Sequence, residues 1–130
     1  MNLQQKRMKD VLEDTIQYFG ADPNKRRCSK GGNCEYNPAV LGIEAVSDGC
    51  AIGRYMTPEQ KTQAGGPTGQ NLVVDQLPPD LIPDVLKGLP MDFLTELQSL
   101  HDRNDTWTAE GLSTIGLSVV ERMRKDWGLN

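Results

Sequence analysis

Punctuation excludes long helices and strands from the middle of this chain. Most of its thirteen glycines and eight prolines fall between residues 20 and 90. Each proline removes a backbone donor and fixes φ, and each glycine adds chain entropy that folding must overcome. Regular structure of any length is therefore confined to the two ends. Residues 3 to 19 place Met8, Val11, Leu12, Ile16 and Phe19 on one helical face, with Lys6, Lys9, Asp10, Glu13 and Gln17 opposite. Gly20 reads as the stop. Pro90 opens a second helix, in which Phe93, Leu94, Leu97, Leu100 and His101 share a face. Asp92 near its start suits the helix dipole, and Arg103-Asn104-Asp105 closes it. Thr106-Trp107-Thr108 leads into a last helix with Leu112, Ile115, Gly116, Val119, Met123 and Trp127 at three- and four-residue intervals. Gly116 on that stripe predicts close approach by another segment.

The prediction is a mainly α fold, a single small helical domain over residues 1–130 with room for one short β-hairpin. It divides into an N-terminal helix (1–20), a loop-rich middle (21–89) and two C-terminal helices (90–130). A chain of 130 residues is long enough to enclose one core. Within the middle, Cys34-Glu35-Tyr36 reads as a short strand, residues 40–46 as a strand or insertion loop, and Leu72-Val73-Val74 as a brief strand. Ala51 to Met56 is expected to be a short helix, and Thr57-Pro58 the cap and first residue of another turn. Pro83 limits Asp80 to Leu86 to about one turn.

The net charge is -4 and the pI about 4.9, which gives the chain as a whole no electrostatic reason to bind nucleic acid. A local patch, Lys25-Arg26-Arg27 with Lys30, runs against that balance. It is read either as a solvated loop or as a place to meet phosphate or an acidic partner. No apolar run approaches the roughly 18 residues of a membrane span, so no membrane partner is expected. The first residues lack the apolar core of a signal peptide. Three cysteines, Cys28, Cys34 and Cys50, do not form the even framework of a secreted mini-protein. A cytoplasmic location is the expectation.

The stretch from Asp48 to Met56 concentrates the chemistry. Asp48-Gly49 is a turn signal, and Cys50 follows it where a loop enters an ordered element. The unpaired N–H groups of a helical first turn would favour a thiolate there. Three readings of the site remain open. In one, Cys50 is a nucleophile, His101 its base, and Asp102 or Asp48 the group that orients the ring. Adjacent helical side chains diverge by about 100°, which places Asp102 poorly for that task. In another, Cys34, Cys50 and His101, with Cys28, hold zinc. The spacing lacks the paired CxxC knuckles typical of such sites, and no cofactor is the simpler expectation. In the third, the cysteines are small apolar groups, and Arg54, Tyr55 and Trp107 line a ligand-binding surface. Arg54 would meet an anion, and Trp127 is a further aromatic candidate.

Cys34-Glu-Tyr36, Gly49-Cys-Ala-Ile-Gly-Arg-Tyr-Met56, Leu97-Gln-Ser-Leu-His-Asp102 and Trp107 together resemble a group of small uncharacterised proteins encoded by bacteriophages and other mobile elements. Its members carry a short loop between the two cysteine segments, whereas Asn37 to Asp48 is longer here. The resemblance implies a phage or prophage source and a helical domain, and it implies no activity. By analogy with small phage proteins as a class, the expected function is non-catalytic binding of a host protein or a small ligand. A cysteine-dependent enzyme is the alternative, and a zinc-stabilised interaction module the second alternative. Oligomeric state is not encoded in any pattern found.

Overall fold

The structure is a computed structural model that describes residues 1–26, 50–64 and 74–130. Cys28, Lys30, Cys34, Tyr36 and the predicted strands at 34–36, 40–46 and 72–73 lie outside the described residues.

Helix α1 spans Leu3–Ala21 and begins with a capping box. Asn2 Oδ1 accepts the Gln5 N–H at 2.8 Å, and Gln5 Oε1 accepts the Asn2 N–H at 2.9 Å, so two end donors are satisfied reciprocally. Its buried face is Met8, Val11, Leu12, Thr15 and Phe19. Gly20 does not stop it: the helix runs to Ala21 and breaks at Asp22, ahead of Pro23, which opens the single turn α2 (Pro23–Arg26).

Cys50, Ala51 and Ile52 are fully buried and enter a 3-10 turn over Gly53–Tyr55. The predicted helix through Met56 is thus shortened, because Pro58 excludes α-helical geometry at Thr57 and forces a new start. That start is α3 (Pro58–Ala64), where Thr57 and Gln60 exchange side-chain and backbone hydrogen bonds of 2.9 and 3.2 Å. Val74 belongs to a 3-10 turn over Val74–Gln76 and not to a strand. Two more such turns, Pro79–Leu81 and Asp84–Leu86, are separated at Pro83. This proline-broken arm lies along α4 (Met91–Asp102), whose entry Pro90 provides.

A two-stranded hairpin follows, β1 (Trp107–Thr108) and β2 (Gly111–Leu112), with Trp107 opposite Leu112. Among the described residues the hairpin lies at 107–112, where the sequence predicts only a lead into the last helix, and Leu112 precedes that helix. Helix α5 spans Thr114–Trp127, capped by Ser113 Oγ on the Gly116 N–H at 3.0 Å. Its buried face is Gly116, Val120 and Met123, while Ile115 is 48% exposed. Gly128 ends it at φ 69° in the left-handed region, where glycine carries no steric cost.

Among the described residues the architecture is mainly helical with one small antiparallel hairpin. One cluster of buried side chains draws on the chain from Met8 to Leu129. Near its centre the Phe19 ring meets the His101 ring edge-on at 4.7 Å and the Trp107 ring at 6.3 Å. No helix of the described residues is long and apolar enough to cross a membrane.

Candidate functional site

The last turn of α4 brings three polar side chains together. His101 is completely buried, and its Nδ1 lies 2.8 Å from Asp102 Oδ1. Asp102 does hold the ring, contrary to the expectation from helical geometry. The Cβ atoms of adjacent helical residues are only on the order of 5 Å apart, a gap that an imidazole and a carboxylate close by turning toward each other. Gln98, one turn earlier, donates from Nε2 to Asp102 Oδ1 at 2.8 Å. A carboxylate oxygen without a proton only accepts, so in this contact Nδ1 of His101 is the donor. The 3.4 Å approach of the Gln98 amide nitrogen to Nδ1 is then a packing contact.

Gln98 also reaches the cysteine turn, where its Oε1 accepts the Ile52 N–H at 3.3 Å. Cys50 Sγ lies 3.5 Å from the Gly53 nitrogen, the contact expected of a turn whose N–H groups face a sulfur. One amide thus joins the Cys50 turn to the His101–Asp102 pair. Both Cys50 and His101 have zero exposure, and a reagent in solvent reaches neither without local opening. Among the described residues no three His, Cys, Asp or Glu side chains are placed to hold a metal ion. The zinc reading rests on Cys34, outside them. Gln98 is the residue that reading the sequence missed. Its signal was present: it precedes His101 by three and Asp102 by four, the spacings that meet on a helix surface.

Arg54 and Tyr55 form a second cluster with α1. Arg54 pairs with Asp14, and the Tyr55 hydroxyl donates to Asp14 Oδ2 at 2.5 Å. Arg54 also donates to the Tyr55 oxygen at 2.7 Å. Burial pushes the Tyr55 phenol well above its ordinary value, and the hydrogen bond to Asp14 adds to that. Partial burial would raise the Asp14 carboxyl, but hydrogen bonds from Tyr55 and Arg54, with the Arg54 charge, outweigh it and leave Asp14 below its ordinary value of 3.8. The Arg54 guanidinium lies 4.5 Å from the Tyr18 ring centre and 4.2 Å from that of Tyr55. Trp107 does not line a surface with them. It is 7% exposed, and its indole N–H donates to the Leu100 carbonyl at 2.8 Å, which makes it a core residue. Trp127 is half-buried, donating to Glu96 at 2.5 Å.

A groove of about 470 Å³ opens elsewhere, between the proline-broken arm and α4. Leu77, Ile82, Leu86, Leu89, Met91 and Leu94 line it, with Asp80 and Lys87 also contributing. Two side chains of α1 strap the far wall of the arm. Arg7 donates to the carbonyls of Val85 at 3.1 Å and Lys87 at 2.7 Å, and Gln4 donates to that of Gly88 at 2.8 Å. Pro83 separates the arm's last two turns and keeps them from joining into one helix. No pattern in the sequence marks this groove, because its lining alternates with turn residues and follows no helical or strand period.

Comparison with known proteins gives no matching family model, no matching curated protein and no matching solved structure.

Proposed function

We propose that this chain is a non-catalytic binding protein of phage or mobile-element origin that takes a small, mainly apolar ligand in the groove between the arm and α4. The groove itself carries this reading. Its volume, about 470 Å³, falls inside the roughly 300–1,000 Å³ of small-molecule sites, and its aliphatic lining with few polar groups is their usual chemistry. The resemblance in the Cys50 and His101 segments supports the origin, and the burial of Cys50 and His101 supports a role without catalysis.

The test is methyl-resolved NMR of the protein titrated with a small branched alcohol such as 4-methylpentanol. Saturable shifts of the Leu77, Ile82, Leu89 and Met91 methyl groups are expected, together with at least tenfold weaker binding by Met91→Glu, since Met91 is 37% exposed and tolerates replacement. Shifts that do not saturate, or that Met91→Glu leaves unchanged, overturn the proposal. A host protein that shifts the same methyls where no small alcohol does would replace the small ligand with a protein partner.

One observation favours a second reading, a cysteine-dependent enzyme: Asp102 Oδ1 lies 2.8 Å from His101 Nδ1 and orients the ring, as a base of that kind requires. Iodoacetamide separates the two. Rapid alkylation of Cys50 in the native protein near pH 6 would support the enzyme, whereas modification only on unfolding supports the binding protein.

A further inference from the structure

Two arginines far apart in sequence converge on the ring of Tyr18. Arg26, at the end of α2, places its guanidinium carbon 4.7 Å from the ring centre, and Arg54 places its own at 4.5 Å. Only one carboxylate among the described residues, that of Asp14, pairs with either of them. Arg26 donates to the Tyr18 carbonyl at 3.0 Å, a neutral acceptor, and among the described residues no carboxylate balances its charge. Both guanidiniums bury an Nε–H that has no hydrogen-bond partner among the described residues, and the Arg54 side chain is 10% exposed. A buried donor left unmade costs free energy, and two cations held at one ring repel each other in surroundings drier than water. Among the described residues the arrangement is short of one anion, in a protein whose overall charge is -4.

We propose that Arg26 and Arg54, with Tyr18 as the platform between them, form a binding site for the phosphoryl group of a small phosphate monoester. Guanidinium groups recognise oxyanions through paired N–H bonds in a fixed plane. A carboxylate has two oxygens and is satisfied by one such fork; Asp14 meets Arg54 and Tyr55 through Oδ2 alone, without a paired fork. A phosphoryl group has three terminal oxygens and up to two negative charges, enough for a second fork and for the missing charge. Asp14 has a 53% exposed side chain, which lets it give up Arg54 to a stronger acceptor. This site uses α1, α2 and the Cys50 turn, and it stands independently of the apolar groove.

The experiment is a titration with inorganic phosphate at constant ionic strength, following the arginine Nε–H signals by ¹⁵N NMR; these are visible because burial protects them from exchange. Saturable shifts of both Arg26 and Arg54 signals are expected, with at least tenfold weaker binding by Arg26→Gln. Arg26 is partly exposed, so that variant keeps the fold; its unchanged amide spectrum checks this. Glycerol phosphate should bind at least as well as inorganic phosphate. Absence of saturation, equal shifts with chloride, or a phosphate affinity unaffected by Arg26→Gln overturns the site. A phosphoserine peptide binding more than tenfold tighter than glycerol phosphate would overturn the small ligand in favour of a phosphorylated partner.

Discussion

Gly116 shows how much one missing side chain can decide. A Cβ at this position would lie 2.1 Å from the Thr106 carbonyl oxygen and 2.9 Å from Leu112 Cδ2. That oxygen is fixed by the Ser113 N–H at 2.9 Å and cannot withdraw. Gly116→Ala should therefore destabilise the protein by about 3 kcal/mol and lower the thermal midpoint by on the order of 10 °C, despite the better helix propensity of alanine. A calorimetric scan checks this. The sequence made this residue legible, since a glycine on an apolar helical stripe has few other uses. The partner of Arg54 was not legible: Asp14 is one of several acids on the outer face of α1, and only the tertiary fold selects it.

That selection has a consequence for pH. The Asp14 carboxyl is held below its ordinary value, so the stability it contributes is fully present above about pH 4 and is lost as pH falls through its folded value. Asp14→Asn should be less stable than the wild type at neutral pH, with the difference shrinking below pH 4. Because Asp14 is half exposed, solvent screens the pair and the difference is small. Thermal midpoints measured from about pH 6 to pH 3 give the answer, and a gap constant across that range would contradict it. Tyr55 works in the opposite direction. Its neutral phenol is favoured by the fold, and that contribution is lost only when strong alkali ionises it.

Among the elements, those with local signals at both ends were legible. The face of α1, the Thr57-Pro58 start of α3 and the Pro90 start of α4 needed only periodicity and capping rules. The stripe of α5 was legible in Gly116, Val119, Met123 and Trp127, with Ile115 the exception and Val120 added to the buried face. Leu112, which begins the same stripe, is held by the β-hairpin before the helix starts. The hairpin was illegible in detail because two residues per strand give no alternation to read. The arm was legible only as irregular, since Pro83 forbids one helix without saying where each turn falls.

How the arm stays in place can be tested. Arg7→Ala removes both hydrogen bonds to Val85 and Lys87 and leaves Gln4 as the remaining strap from α1. Amide exchange at Leu86, Lys87 and Leu89 should then quicken at least tenfold, while exchange in the middle of α4 stays the same. Binding of a small alcohol in the groove should weaken in parallel. Unchanged exchange would mean that the arm is held by its own aliphatic side chains.

At the scale of the whole molecule, the two ends close on each other. Gln5 donates from Nε2 to the Trp127 carbonyl at 3.3 Å, and Leu129 is fully buried one residue from the last. A final Gly-Leu-Asn tripeptide looks dispensable in sequence, and a lone leucine there belongs to no period. Its burial arises because the left-handed Gly128 turns the chain back toward α1. Leu129→Ala should cost about 2–4 kcal/mol, seen as a lower urea midpoint with an unchanged slope. The mainly helical class was legible because it is a sum over many residues. The groove, the cation pair and the terminal closure were not, because each joins residues whose separation in sequence carries no period.

The Gln98 amide gives one more consequence. It touches the cysteine turn with its oxygen and the carboxylate beside His101 with its nitrogen, so displacement at either end pulls on the other. The chain contains a single histidine. The ¹⁵N spectrum of that one imidazole, unobscured by any other, is therefore a built-in gauge of whether the turn at Cys50 is seated: a seated turn keeps the proton on Nδ1, and an unseated one frees the ring to exchange tautomers.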